Sequence, residues 1–205
     1  MISRISSSFK MPKACWWSEL RFDPLRIASN QLEPVSVTLR KKLRKNPRWI
    51  EGHLHLAWVS LRRFEEGSSP QKLRYLFTCR LSAQAVLELK GVDFILSPEN
   101  LLTTDCDSMS LQAFGLLGVC DHFEKNYLSA FNCLYSISRA ARQIPASQGE
   151  RLVKLIDYGA ASALVLERFD EAEAMLQILP EIERSAEGRE VLKYLNWRKS
   201  GGDSA

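Results

Sequence analysis

The chain has 205 residues, 45% of them hydrophobic, and 28 Lys and Arg against 24 Asp and Glu give it a net charge of +4. That is enough apolar material to bury one sizeable core, so one domain is the natural count, and no window holds the run of about eighteen apolar residues that a membrane span needs. The five cysteines, Cys15, Cys79, Cys106, Cys120 and Cys133, are odd in number and widely spaced, which excludes a disulfide framework or a CxxC zinc pattern and points to a reducing compartment.

Met1–Lys13 is rich in Ser, Arg and Lys, and the first acidic residue is Glu19. This composition reads as a disordered lead. A mitochondrial presequence shares it but would bring a long amphipathic stretch, which is missing, and no apolar signal-peptide core follows the start. The expected compartment is therefore the cytoplasm, with the mitochondrion as the alternative. In Cys15–Phe22, CWWSELRF, the adjacent Trp16 and Trp17 cannot both face one helical stripe. One is expected to pack on the first hairpin and the other to be covered by something else, and a core role is preferred to anchoring a partner. Residues 1–23 are thus set apart from a single helical domain over 24–198, with 199–205 as a tail.

Glu33-Pro34 opens a helix, since Pro fits the first turn, and Asn46-Pro47 closes it. Val35, Val37, Leu39 and Leu43 supply its apolar side, while Arg40, Lys41, Lys42, Arg44 and Lys45 make the rest strongly basic. Residues 1–63 hold 13 Lys and Arg against 4 Asp and Glu, and the remainder holds 15 against 20. A basic front and a mildly acidic back suit an acidic partner or head-to-tail association of copies, so homo-oligomerisation stays open. A solvated basic helix without special role fits equally well. Nucleic acid is the sharp reading of such a run, but no aromatic residue is interleaved for stacking and no matching basic stripe follows, which argues against it.

A helix over Trp49–Phe64 comes next, then a break at Gly67-Ser68-Ser69-Pro70, where Ser69 can cap and Pro70 can start a long helix over Gln71–Leu89. Gly91–Thr104 reads as a connector. In Ser110–Arg142, Leu111, Phe114, Leu117 and Gly118 share one helical face, and Leu128, Phe131, Leu134 and Tyr135 form a second row. The break between them, Glu124-Lys125-Asn126, is short, so the two helices must be antiparallel neighbours, with Asn126 suited to the N-cap. Gly118 and Ala130 are small enough to let the backbones approach. A further hairpin spans Leu152–Pro180, and Ser185 can cap a last helix carrying Val191, Leu192 and Leu195.

Ser110–Arg142 resembles a tetratricopeptide repeat. Phe114, Leu117, Gly118, Tyr127 and Ala130 stand at that family's offsets. Leu152–Pro180 is similar through Ile156, Gly159, Ala160, Phe169, Ala172 and Leu176. Asn46–Gly67 is a partial copy through Asn46-Pro47, His53, Leu56 and Ala57, and its second helix departs from the pattern. The resemblance covers about Pro34–Arg198 and implies an all-α, irregular α-solenoid of about three helical hairpins, at 49–89, 108–142 and 150–180, with an extra helix at each end. Another array of helical hairpins is the alternative. The Ala130 to Ala172 interval is 42 residues, against about 34 for the family, so regular stacking is not expected.

The search for chemistry is largely negative. His53 and His55 are two apart, as are Cys120 and His122, and a helix points such pairs in different directions where a metal wants spacings of about three or four. Asp105-Cys106-Asp107 suits a helix cap better than a catalytic trio. No phosphate loop, dinucleotide fingerprint or nucleophile elbow occurs. The expectation is no enzyme, no metal and no cofactor; an enzyme of this sequence would use Cys106 as nucleophile.

In the resembling family the first helix of each repeat lines an inner groove. The corresponding positions are Glu51, Leu54, Trp58, Leu61 and Arg62, then Gln112, Gly115, Val119, His122 and Phe123, then Lys154, Asp157, Ala161, Leu164 and Val165. Leu54 and Trp58 stand where the chaperone subclass would need Lys and Asn to clamp a carboxylate, so that clamp is rejected. The groove is apolar, and Trp58 and Phe123 are expected to be partly exposed in one concavity as anchors for another protein's peptide or helix. The chain's own Cys15–Phe22 or its long second helix could fill it instead. The resulting expectation is an adaptor or chaperone-like scaffold for secretion or complex assembly; the alternative is a structural subunit docking through its outer faces.

Overall fold

The computed structural model describes residues 23–67, 70–92, 107–141, 149–178 and 183–201, and all regular structure among them is helical. Two short turns, Pro24–Arg26 and Ser29–Gln31, precede eight α-helices: α1 Leu32–Lys45, α2 Ile50–Glu66, α3 Lys72–Leu89, α4 Ser108–Phe123, α5 Tyr127–Ala141, α6 Gly149–Val165, α7 Phe169–Leu176 and α8 Ala186–Lys199. Residues 1–22, with Cys15 and the Trp pair, the Ser69 cap and most of the connector with Cys106 lie outside the described residues. No described helix is long and apolar enough to cross a membrane.

Local chemistry explains the boundaries. Leu32, Val35, Leu39 and Leu43 recur at helical spacing and are buried, which turns the α1 cations outward. Asn46 leaves helical geometry ahead of Pro47, as the ring of a following proline requires. Asp107 caps α4, accepting from the Ser110 amide at 2.9 Å, and Ser185 caps α8, accepting from the Gly188 amide at 3.3 Å. The second helix of the last hairpin, α7, stops at Leu176 and does not run on to Pro180.

The ends of α4 and α6 are built alike. Lys125 and Glu167 both take left-handed conformations, at φ 66° and 60°. In each turn the next residue's amide reaches back five residues, Asn126 to Asp121 and Arg168 to Ala163, the double-bonded stop that satisfies a helix's last carbonyls. The two turns lie 42 residues apart, the same interval as Ala130 to Ala172.

Consecutive helices pack against one another from α1 to α8, and α2, α4, α6 and α8 also pack as a row, each on the next but one. One apolar core runs through α2 to α8, and a second, smaller one joins α1 to α2. The small residues sit where backbones approach most closely. A methyl group on Gly118 would fall 2.8 Å from Leu134 of α5, and one on Gly159 would fall 2.3 Å from Met175 of α7. Ala130, Ala160 and Ala172 are fully buried, as their spacing predicts.

Candidate functional site

The groove positions fall on the row α2, α4, α6; seven of the fifteen are buried, and Glu51 and Val165 are exposed. Trp58 is 0% exposed, and Leu54, Leu61, Val119 and Asp157 are buried with it. The partly exposed Trp58 anchor predicted from the sequence is therefore corrected. Its indole Nε1 donates to Gln112 Oε1 at 3.0 Å, and Arg151 on α6 donates to the same oxygen at 3.2 Å. An indole N–H that finds an acceptor inside the protein is stable there. Gln112 thus ties three helices through one side-chain oxygen.

Arg62 is likewise occupied. Its guanidinium donates to the carbonyls of Pro24, Leu25 and Ile27 at 3.1, 3.2 and 2.5 Å and pairs with Glu66. It holds the Pro24–Arg26 turn against α2. The same turn reaches α6, where Asp23 pairs with Arg151 at 3.3 Å and Arg26 with Glu150 at 2.9 Å. The chain's own residues therefore close this part of the row, Asp23–Ile27 among them; the alternative filler Cys15–Phe22 lies outside the described residues.

Phe123 and His122 are half-buried in an aromatic cluster. Phe123 meets Phe64 at 4.5 Å and Tyr158 at 5.2 Å between ring centres. His122 Nδ1 lies 2.9 Å from Ser162 Oγ, and burial lowers its pKa. Ala161 and Leu164 are half-buried against the main core.

Beside this cluster is a polar group that the spacing argument missed. Tyr158 donates to Glu65 of α2 at 2.7 Å, and Glu187 of α8 is the second acceptor at 3.2 Å. Lys154 pairs with Glu65 at 2.6 Å. Burial raises the pKa of Glu65 against the pull of Lys154, and burial followed by the two carboxylates raises that of Tyr158. The hydroxyl keeps its proton and acts as a fixed donor, joining α2, α6 and α8. Lys154 and Tyr158 are four apart on α6, the one sequence signal that could have paired them.

Asp157 is a brace and does not face a groove. Its carboxylate accepts from Arg184 at 3.1 Å and from the Ser185 amide at 2.8 Å. It packs on the bare backbone of Gly188, where a methyl group would come within 2.4 Å. Arg184 also donates to the carbonyls of Leu176 and Ile178 at the end of α7. Burial raises the Asp157 pKa, and the Ser185 amide and then Arg184 pull it down.

The basic positions Arg40, Lys41, Lys42, Arg44 and Lys45 lie on the side of α1 away from the small core. Arg40, Lys41, Arg44 and Lys45 form no ion pair among the described residues. Burial lowers the Lys42 pKa, and its Nζ lies 6.0 Å from the centre of the Trp49 ring. An open cleft of about 360 Å³ is lined here by Lys42, Lys45, Asn46 and Trp49.

Among the described residues the geometry is all-helical, with eight helices packed in sequence, an inner row tied by polar side chains, and a run of cations without ion pairs on α1. No protein-family model, curated protein or solved structure matches the chain.

Proposed function

We propose that the chain is a non-catalytic docking scaffold, an irregular tetratricopeptide-like stack that serves as a structural subunit and binds another protein through its outer helix faces. The observation that carries this is the contrast between the inner row and α3. The inner positions Leu54, Trp58 and Leu61 are closed by the chain itself, whereas Leu73, Phe77 and Leu81 on α3 are 75%, 60% and 49% exposed. Those three residues are four apart, so they form one continuous apolar ridge. Large exposed apolar residues in a contiguous patch mark interaction sites, and a ridge of this spacing fits the apolar face of an amphipathic helix from the partner. The row α2, α4, α6 and the matching turns at Lys125 and Glu167 support the repeat architecture. An adaptor or chaperone working through the inner groove would have to reach Trp58, which is 0% exposed and bonded to Gln112.

The test compares the wild-type chain with Phe77→Glu/Leu81→Glu as bait in affinity capture. Both should melt alike, because exposed positions contribute little to stability, and the partner held by the wild type should be lost from the variant. Retention of the same partner by the folded variant would remove α3 as the docking face.

A further inference from the structure

We propose that the partner at α3 is a second copy of this chain, held by antiparallel packing of the two α3 helices about a twofold axis at Leu81. This deepens the docking reading of α3 and rests on it.

Two observations carry the choice of occupant. First, α3 is complementary to itself once its direction is reversed. Leu81 stands at the middle of Lys72–Leu89 and is 49% exposed. Arg74 and Glu88 lie seven positions before and after it, two helical turns each way, so all three share the outer face. Both charged residues are exposed, and neither forms an ion pair among the described residues. A twofold axis at Leu81 sets Arg74 of each copy opposite Glu88 of the other. The same axis sets Phe77 opposite Ala85, since these lie four positions either side of Leu81, and a large side chain then meets a small one. In a twofold interface every such contact is made twice.

Second, the remaining cations of α3 are engaged within the chain. Lys72 Nζ lies 4.7 Å from the centre of the Phe64 ring. Arg80 pairs with Asp121 at 2.7 Å and with Glu124 at 2.9 Å. The open face is therefore apolar along Leu73, Phe77 and Leu81, with one cation toward its start and one carboxylate toward its end. Those two charges cancel, so the face offers little to a strongly acidic or strongly basic partner. An antiparallel copy of α3 matches both the apolar ridge and the order of the charges.

One helix from each copy makes a small interface, and interfaces below about 1,200 Å² are weak and transient. A dissociation constant of about 10 µM is expected for such a contact.

The experiment is sedimentation velocity of the full chain from about 1 to about 200 µM in about 50 mM salt, where exposed ion pairs are only partly screened. The wild type should pass from monomer to dimer across that range. Phe77→Glu/Leu81→Glu should stay monomeric. Arg74→Glu and Glu88→Arg should each weaken the dimer about tenfold, because each sets like charges opposite one another twice. An equimolar mixture of these two variants should dimerise within about threefold of wild type, since their reversed charges match across the axis. Loss in each single variant with recovery in the mixture is specific to antiparallel pairing. Circular dichroism should show every variant folded, as all four positions are exposed. A wild type that stays monomeric, charge variants that dimerise like wild type, or a mixture that fails to recover would each overturn the proposal. If the wild type stays monomeric while Phe77→Glu/Leu81→Glu loses a different captured protein, the second copy is wrong and α3 remains the docking face. If that variant dimerises like wild type and also keeps its captured partner, both readings fail.

Discussion

At the C-terminal end of the stack, α8 is fastened to α6 and α7 by a buried carboxylate and a buried guanidinium, Asp157 and Arg184. At the N-terminal end, α1 is held to α2 by Leu32, Val35, Leu39 and Leu43 against Leu56 and Val59, with one ion pair at the rim, Glu33 to Arg63. A buried polar brace accepts only one geometry, because each group must find its partner. An apolar seam tolerates more and leaves the charged residues of its helix pointing outward. The α8 end is therefore fixed by specific bonds, whereas α1 carries Arg40, Lys41, Arg44 and Lys45 without an ion pair among the described residues.

The sharpest way to break this contrast is Asp157→Ala. It leaves Arg184 buried without its carboxylate and should cost about 3–5 kcal/mol, read from urea unfolding curves. A companion Arg184→Met in the same chain should recover part of that loss, since removing both charges is milder than stranding one. A loss below about 1 kcal/mol would mean that the apolar contacts of Val191 and Leu195 alone hold α8.

At the other end the sensitive group is His55 on α2. Burial first, then the charge of Arg151, lowers its pKa from 6.5 to about 4. Between those values the unfolded chain binds the proton and the folded chain does not. Stability should therefore fall as the pH drops through that window, by up to about 3 kcal/mol. Unfolding curves at pH 7 and near pH 4.5 should show this, and His55→Gln should flatten most of the difference.

The smallest effect belongs to the middle of the stack, which neither end controls. Lys125 and Glu167 hold left-handed conformations, a strain of about 1 kcal/mol or more for a residue with a side chain. Lys125→Gly and Glu167→Gly should each raise stability by about 0.5 kcal/mol, after the extra freedom of glycine in the unfolded chain is subtracted. Equal gains at both sites would sharpen the structural equivalence of the two hairpins; opposite signs would dissolve it.

Much of this architecture was legible in sequence because it is local. The spacing of Val35, Leu39 and Leu43 places α1, although Val37, read as part of its apolar side, is exposed and Leu32 is buried in its stead; Ser185 marks the start of α8, and the small residues Gly118 and Ala130 mark a close crossing. The site was less legible because its partners are remote. Spacing shows that Trp58 lies on an apolar face but not that Gln112, 54 residues on, offers its indole an acceptor. Asp157 looks like a groove carboxylate until Arg184 and Ser185 arrive 27 and 28 residues later. Trp49 sits outside the basic run, and only the turn at Pro47 returns it to Lys42.

The Tyr158 hydroxyl between Glu65 and Glu187 has a kinetic and cooperative consequence. In an open array each unit touches only its neighbours, so units can melt one at a time from the ends. Here Tyr158 reaches 93 residues back to Glu65, and Arg151 reaches 128 residues back to Asp23. Such ties join helices far apart in sequence, so loosening of α2 or of the Pro24–Arg26 turn also loosens α6 and α8. Unfolding is then shared by the whole chain, and folding must await contacts between its most distant parts, which slows it relative to a string of independent hairpins.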